Sequence, residues 1–520
     1  MNMMYTCALS PMQDPGSQRS SRTSDIEVRR RATMNASHNH TPASPTDPAN
    51  SLRASLSQRQ MGMIAIGGVI GAGLFVGSGS AINSAGPGII VGYLAVGGLV
   101  VLMMRMLAEL AVASPDSGSF STYATREIGA WAGLAIGWLY AYMWAVMVGF
   151  EAVAAAAIAH RTLPGVPEWA AALTFVIVFT AVNLATVRAF GRMEFWFASV
   201  KVLAITLFLI IGTAAVLGWI PGHDAPGLAN LTGNGGFFPH GIGAVMLAML
   251  AVVFSFFGTE VVTVAVGEAV APRQAVALAM RTVVVRILIF YIGSMALIVT
   301  LLPSDSAEVT RSPFVAVLDH LGVPLAPQIM DAVVFTALLS CLNSGIYSAS
   351  RMVFALARRG EAPRPFTRLN RRGVPVAAVL AASVGGFATV AANFFLPSEI
   401  LFTFLLDSTG ALALVVYFAI AITQLRGRTR AQREGREAEL PVRMWGFPYM
   451  TWLVLIALAA ILVGLALAPS TRHSTQLSLA VTVIAVIAGV ATARRRRNSA
   501  AHRVSPFETP TPTEARSGME

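Results

Sequence analysis

The chain is poor in charged residues and almost devoid of lysine. Of its 520 residues, 12% are charged and 55% are hydrophobic, whereas an average soluble protein has about 25% charged residues. The apolar residues stand in long runs, so the composition excludes a soluble globular protein and indicates a polytopic membrane protein. The formal net charge of +11 is therefore interpreted as a signal of membrane topology rather than of nucleic-acid binding.

Cysteines and clustered metal ligands are also scarce. Cys7 lies in a polar tail and Cys341 in an apolar segment, which argues against a disulfide framework. The chain has no His-Glu-x-x-His run and no cysteine–histidine cluster, so no metal site is predicted. Its one lysine follows no Gly-x-x-x-x-Gly run, which argues against a phosphate-binding loop for ATP. We therefore expect no cofactor, no catalytic residue and no enzymatic activity.

Twelve apolar stretches are long enough to cross a membrane, which takes about 20 residues. They cover residues 61–82, 87–107, 132–158, 169–187, 196–218, 241–265, 284–302, 329–356, 374–394, 401–424, 449–468 and 475–493. Twelve crossings place 33 of the 36 arginines on the side of both termini, Arg286 included, and only Arg161, Arg311 and Arg472 on the other. Because cytoplasmic loops carry the excess of positive charge, both termini are predicted to be cytoplasmic.

Glycines interrupt two of these stretches at matching positions. The first contains GGVIGAGLFVGSG (residues 67–79), with six glycines in thirteen residues, and the sixth contains FSFFGTE (residues 254–260). The two stretches stand five spans apart, as expected for two repeats of five helices. Broken helices at corresponding places in two halves indicate an inverted-repeat transporter with its site near mid-membrane. The alternative explanation is close helix packing through small residues.

This pattern divides the chain into four parts. Residues 1–57 are polar, rich in Ser, Pro, Asn and Arg, and carry no signal-peptide core, so we predict a disordered cytoplasmic tail. Residues 58–425 are the predicted transport core with helices 1 to 10. Residues 426–497 hold a cytoplasmic loop and two additional helices outside the repeat, and residues 498–520 form a second disordered tail.

The backbone groups freed at such breaks suit a zwitterion. N–H groups at the start of a half-helix attract a carboxylate, and carbonyls at the end of one attract an ammonium. A carboxylate cradle is predicted at Gly71, Ala72 and Gly73. The residues expected to line the amine side are Ser255, Phe256, Gly258 and, as a candidate lid, Phe257.

The single lysine, Lys201, lies inside the fifth span, where an ammonium costs roughly 2.5–3.5 kcal/mol. A desolvated lysine can release its proton, whereas arginine cannot, so Lys201 is the main candidate for proton coupling. The alternative is a lysine near a helix end that reaches the membrane interface. Glu151 and Glu260, inside the third and sixth spans, are further candidates for proton coupling, and each could instead be neutral or paired and hold helices together.

The eighth span is polar for its depth, with Asn343 and Ser344 at its centre. In a sodium-coupled transporter such groups bind the ion. We predict that the ammonium of Lys201 takes this sodium-like position, so that the coupling ion is a proton.

Several runs resemble the amino acid permease branch of the amino acid–polyamine–organocation transporters. They are GGVIGAGLFVGSG, MRMLAELAVASPDSGSFSTYATREIGAWAGLAIGWLY (104–140), FSFFGTEVVTVAVGEAVAP (254–272), SCLNSGIYSASRMVFALARRGEAP (340–363) and RMWGFPYMTWLV (443–454). The resemblance spans about residues 57–497. Within the branch, the run LLDSTGALALVVY (405–417) is most similar to the gamma-aminobutyrate permeases.

This resemblance implies an all-α membrane protein with the five-plus-five inverted-repeat (LeuT-like) fold that imports an amino acid with a proton. It implies that residues 71–73 and 256–258 line the substrate site, and that Lys201 matches the fifth-helix lysine of proton-coupled relatives. Two departures leave the substrate open. Ala72 stands where many relatives have Thr, and Ala271 precedes Pro272 where many have Asn.

The sequence thus predicts a secondary transporter of the bacterial inner membrane that imports gamma-aminobutyrate or a similar small zwitterion with a proton. Its partners are the amino acid, the proton and the lipid bilayer, with no nucleic acid, and its oligomeric state stays open. Another substrate (proline, an aromatic residue, D-alanine, D-serine or glycine) and exchange of one amino acid for another are alternatives within the same fold. An amino acid sensor that signals through its tails is the alternative from a different class.

Overall fold

The computed structural model describes residue 52 and residues 55–503, except residues 69, 76, 234, 397 and 470. In this part of the chain all regular elements are helices, and the β-type pairing is a single isolated bridge between Leu56 and Ala269. Most of the predicted N-terminal tail and residues 504–520 of the predicted C-terminal tail lie outside the described residues.

The α-helices are α1 (Gln58–Gly67), α2 (Ala72–Phe75), α3 (Gly77–Ala85), α4 (Ile89–Ala113), α5 (Ser119–Glu127), α6 (Ala130–Thr162), α7 (Glu168–Ala185), α8 (Val187–Val216), α9 (Ala229–Thr232), α10 (Gly241–Ser255), α11 (Val261–Ala265), α12 (Pro272–Arg286), α13 (Gly293–Leu301), α14 (Ala307–Arg311), α15 (Pro313–His320), α16 (Ala326–Arg358), α17 (Val376–Phe395), α18 (Ser398–Arg433), α19 (Tyr449–Leu467) and α20 (Arg472–Arg503). A π-helical segment, Ile287–Ile292, joins α12 to α13.

Ten helical stretches of the described chain are long and apolar enough to cross a membrane. Helices suit this role because they satisfy every backbone hydrogen bond within one segment. The apolar windows of α6 and α16 are 67% and 72% buried, whereas those of α19 and α20 are 22% and 11% buried. Helices α6 and α16 therefore form the centre of the bundle, and α19 and α20 lie at its periphery.

The first glycine-rich stretch is broken where the sequence predicts it. Helix α1 ends at Gly67, Gly68 donates its N–H to the carbonyl of Ile64 (3.0 Å), and helical structure resumes at Ala72. The part of the stretch after the break is continuous with α4 in one of the ten stretches, Gly73–Ala113.

The sixth stretch is broken in the same way, between Ser255 at the end of α10 and Val261 at the start of α11. Gly258 lies in this break with φ +92°, a left-handed conformation that glycine adopts without steric cost. A Cβ atom built on Gly258 would lie 2.6 Å from the carbonyl oxygen of Gly68. The two breaks therefore meet, backbone against backbone.

The structure differs from the prediction at the start of the seventh span and in the position of Arg286. Helix α12 begins at Pro272 rather than near residue 284 and continues through the π-helical segment to Leu301. Arg286, which the charge count assigned to the cytoplasmic side, is 1% exposed inside the bundle. It is held there because its guanidinium bonds to backbone carbonyls of α1.

A buried polar cluster ties the start of the first broken stretch to the end of the second. The backbone N–H groups of Ser55 and Leu56 donate to the carbonyl of Glu268 at 2.9 and 3.0 Å. The Glu268 carboxylate accepts from Arg351 Nε (3.0 Å) and from the hydroxyl of Tyr347 (2.7 Å) on α16. The chain before α1 is thus anchored to the segment after α11 and to α16.

Candidate substrate and coupling site

The predicted carboxylate cradle lies at the start of α2. Ala72 is the first helical residue, and the Gly71 carbonyl accepts the N–H of Leu74 at 3.2 Å; the side chain of Ala72 lies outside the described part. A Cβ on Gly71 would lie 3.0 Å from Cys341 Sγ, so α2 approaches α16 closely here. The carbonyl of Gly73 accepts a hydrogen bond from Ser255 Oγ (2.8 Å), which joins the two broken stretches.

The carbonyls predicted to receive the amine already have hydrogen-bond partners. Ser255 O accepts from the hydroxyl of Tyr291 (3.0 Å), and Phe256 O accepts from Thr259 Oγ1 (2.5 Å). The Gly258 carbonyl accepts from the first N–H of α11 at 3.1 Å. Each carbonyl has two lone pairs, so each can still accept one further hydrogen bond.

The two candidate phenylalanines have different environments. Phe256 is fully buried and stacks on Tyr291, with ring centroids 4.5 Å apart. Phe257 is half-buried and packs on Trp144, with centroids 5.2 Å apart. Trp144 also covers Gly345 of α16, where a Cβ would lie 2.9 Å from the indole ring. The structure leaves the predicted lid role of Phe257 a prediction, and it adds Trp144, which the sequence analysis did not single out, as its neighbour.

Lys201 lies in the middle of α8 and is fully buried. Its Nζ donates to the carbonyl of Gly67 (2.5 Å) and to Ser340 Oγ on α16 (2.9 Å). The lysine therefore lies in mid-helix and inside the protein, and not at a helix end. Its ammonium contacts the carbonyl of the last residue of α1, at the negative end of the helix dipole.

Glu194 was missed in the sequence because the fifth span was predicted to begin at residue 196. Helix α8 begins at Val187, and Glu194 is fully buried in it. Its Oε1 accepts a hydrogen bond from Ser340 Oγ at 2.5 Å. Glu194 and Lys201 stand seven residues apart, two turns along one face of the helix, and this spacing could have identified the acid.

The predicted sodium-like ligands lie beside this acid. Asn343 and Ser344 are fully buried and lie near the Glu194 carboxylate. Asn343 Oδ1 also accepts from Asn183 Nδ2 of α7 at 3.0 Å. The hydroxyl that binds Lys201 is that of Ser340, one turn earlier on α16.

The two acids predicted to handle protons lie in separate environments. Glu260 is fully buried, and its two carboxylate oxygens accept from the hydroxyls of Tyr140 (3.3 Å) and Tyr417 (2.9 Å). Glu151 on α6 lies within electrostatic reach of Lys201 and Cys341. The structure thus groups Glu151 with the lysine, whereas Glu260 belongs to a tyrosine-lined site at the second break.

Arg286 is a second buried cation at the end of α1. Its Nη1 donates to the carbonyls of Ala65 and Ile66, the latter at 3.4 Å. Together with Lys201 on Gly67, two cations cover three successive carbonyls at the negative end of the broken helix. Movement of α1 would therefore break hydrogen bonds of both cations.

The candidate site lies between two broken helices, and a lysine is bound at the first break. Sequence comparisons identify the family. The amino acid permease family model matches residues 60–500. This chain belongs to the amino acid permease family. It is accordingly a multi-pass membrane protein that transports amino acids, and not an enzyme.

Individual relatives agree with this assignment. The chain is 48% identical to a gamma-aminobutyric acid permease of Bacillus subtilis (strain 168), over 86% of this chain and 94% of the relative. It is 44% identical to the gamma-aminobutyric acid permease of Escherichia coli (strain K12), over 81% and 90%. An aromatic amino acid transport protein of Corynebacterium glutamicum is 41% identical, over 83% and 93%.

Proposed function

We propose that the protein imports gamma-aminobutyrate, or a similar small zwitterion, together with a proton across the bacterial inner membrane. The observation that carries this proposal is the position of Lys201, whose ammonium bridges the end of α1 and Ser340 of α16. A carbonyl at a helix break and a hydroxyl are the ligands that a sodium ion uses in transporters of this kind. The lysine thus takes the place of a bound cation.

In this proposal the chain has twelve crossings in a five-plus-five inverted repeat, with two additional helices at the C-terminus. Two observations support it: the breaks at residues 68–71 and 256–260, and the contact between Gly258 and Gly68. Ten helical stretches of the described chain are long and apolar enough to cross a membrane, and the first of them, Gly73–Ala113, includes the part of the first broken stretch that follows the break. The arginine asymmetry supports cytoplasmic termini, and residues 58–425 are proposed as the transport core.

The substrate carboxylate is proposed to bind the N–H groups at Gly71, Ala72 and Gly73, where α2 begins. The amine would use the remaining lone pairs of the carbonyls at Ser255, Phe256 and Gly258, with Phe257 closing over it. Gamma-aminobutyrate is favoured because gamma-aminobutyric acid permeases are among the most similar relatives. An aromatic substrate is the rival that a slightly less similar relative suggests.

Coupling would act through the charge of Lys201. The protonated lysine makes a charge-assisted hydrogen bond to the Gly67 carbonyl and holds α1 in place. Loss of the proton weakens this bond and lets α1 move, which opens the site on the side of the N-terminus. Glu151, whose carboxylate interacts with Lys201 at longer range, and Glu260, at the second break, are proposed to assist in handling the proton. Asn343 and Ser344 are proposed to complete the sodium-like site.

The test is uptake of radiolabelled gamma-aminobutyrate into proteoliposomes with an imposed inward proton gradient and no sodium. We expect accumulation that disappears when a protonophore collapses the gradient. A panel of unlabelled amino acids, including proline, phenylalanine and D-alanine, then ranks the substrates by competition. Fast exchange with preloaded amino acid, in the absence of gradient-driven accumulation, would contradict symport and establish an exchanger.

A further inference from the structure

Three buried side chains form a continuous hydrogen-bonded chain between α8 and α16. Lys201 Nζ donates to Ser340 Oγ at 2.9 Å, and Ser340 Oγ donates to Glu194 Oε1 at 2.5 Å. All three residues are 0% exposed. A protonated lysine can only donate and an ionised carboxylate can only accept, so the single hydroxyl proton of Ser340 must point toward Glu194.

The hydrogen bonds are thus oriented for transfer in one direction. We propose that Glu194 receives the coupling proton from Lys201 through the hydroxyl of Ser340, an inference that rests on the proposed proton coupling. In this step Lys201 gives a proton to Ser340 Oγ while Ser340 gives its own proton to Glu194 Oε1. An ammonium and a carboxylate become an amine and a carboxylic acid, and the serine hydroxyl is restored.

The low-dielectric surroundings favour this proton transfer. Two charges inside a membrane protein each carry a desolvation cost, and the transfer neutralises both at once. The other titratable groups that face the chain are Glu151 from α6 and Cys341 from α16, which interact electrostatically with Lys201.

The position of Glu194 explains how the proton would leave. A Cβ on Gly67 would lie 3.5 Å from Glu194 Oε1 and 2.4 Å from Ala198 Cβ, so the end of α1 covers the carboxylate. Transfer removes the charge of Lys201 and weakens its bond to the Gly67 carbonyl. Movement of α1 would then expose Glu194 to water, where the acid ionises and releases the proton.

The experiment uses the full chain in proteoliposomes and compares Ser340→Ala with Ser340→Thr, and Glu194→Gln with Glu194→Asp. Two quantities are measured for each variant: gradient-driven uptake of gamma-aminobutyrate with the accompanying proton flux, and exchange at equal pH on both sides. Ser294→Ala, a buried serine on α13, is the matched control for removal of a hydroxyl.

We expect Ser340→Ala and Glu194→Gln to lose gradient-driven uptake by about a hundredfold or more, in the range of a lost proton-transfer group, while both retain exchange. Ser340→Thr and Glu194→Asp keep the transferable groups and should recover uptake and the wild-type proton-to-substrate ratio.

Two results would overturn the relay. One is a wild-type proton-to-substrate ratio in both Ser340→Ala and Glu194→Gln. The other is an equal loss of exchange and uptake that Ser340→Thr and Glu194→Asp do not relieve, which is the signature of a purely structural role. Absence of proton-driven uptake in the wild type would instead contradict the proposed symport itself, so the two failures are distinguishable.

Discussion

Gly258 and Gly68 lie against each other where the two broken helices meet. The Gly258 backbone is left-handed (φ +92°), and a Cβ at this residue would lie 2.6 Å from the carbonyl oxygen of Gly68. Both the conformation and the contact require glycine. The close approach of the breaks is therefore fixed locally by residue type, before any substrate binds.

The first prediction is that Gly258→Ala abolishes transport. The left-handed conformation costs a side chain roughly 1–2 kcal/mol, and the clash with a backbone oxygen cannot be relieved by a side-chain rotation. The two breaks must then separate. Uptake in proteoliposomes measures the loss, with Gly98→Ala on α4 as control, because a Cβ there meets nothing within 4 Å. Normal uptake by Gly258→Ala would show that the contact is dispensable.

The second prediction concerns Gly71 and Cys341. Gly71→Leu should abolish substrate binding, since its side chain would fill the cradle. The smaller change Gly71→Ala presses on Cys341 Sγ, 3.0 Å from the added Cβ, and should weaken binding less. If that contact is the cause, Cys341→Ala should restore binding to Gly71→Ala but not to Gly71→Leu. Binding of radiolabelled gamma-aminobutyrate to purified protein gives the double-mutant cycle, and strict additivity would contradict direct contact.

Much of the fold and of the site was open to prediction from the sequence. Glycine-rich runs inside apolar stretches located both helix breaks, because the local chain itself carries the cause of each break. Lys201 was identified because it is the only lysine and lies deep within a span. The helical class and the family followed from runs of residues that are contiguous in the chain.

The missed residues share a different cause. Glu194 lies just before the predicted fifth span (196–218) and Arg286 near the start of the predicted seventh (284–302), so a hydropathy argument places both charges at the membrane edge. Both charges are buried because their partners, Ser340 Oγ and the carbonyls of α1, come from distant parts of the chain. Such compensation is invisible in a local window, which explains why α8 and α12 begin earlier than predicted.

The third prediction concerns the buried pair of Glu268 and Arg351, whose side chains are 0% and 1% exposed. Removing one partner of such a pair costs about 3–5 kcal/mol, because it leaves an uncompensated buried charge. Glu268→Gln should therefore lower the thermal unfolding temperature of the detergent-purified protein.

The same change should also loosen the segment at Ser55 and Leu56, whose N–H groups bind the Glu268 carbonyl. Faster proteolysis before α1 would report this loosening. The exposed pair of Arg161 and Asp331 is the control, and Asp331→Asn should change stability little. Equal losses of stability in the two variants would indicate that burial does not make the pair of Glu268 and Arg351 more important for stability.

The last prediction separates the charge of Lys201 from its proton. Lys201→Ala removes both, so we expect loss of pH-driven accumulation, while exchange of internal for external amino acid persists. Lys201→Arg keeps a cation against the Gly67 carbonyl but cannot release its proton. It should therefore bind substrate yet fail to accumulate it, at every external pH between 5 and 8. Wild-type-like, pH-dependent uptake by either variant would remove Lys201 from the coupling mechanism and leave the hydrogen bond to α1 as its sole function.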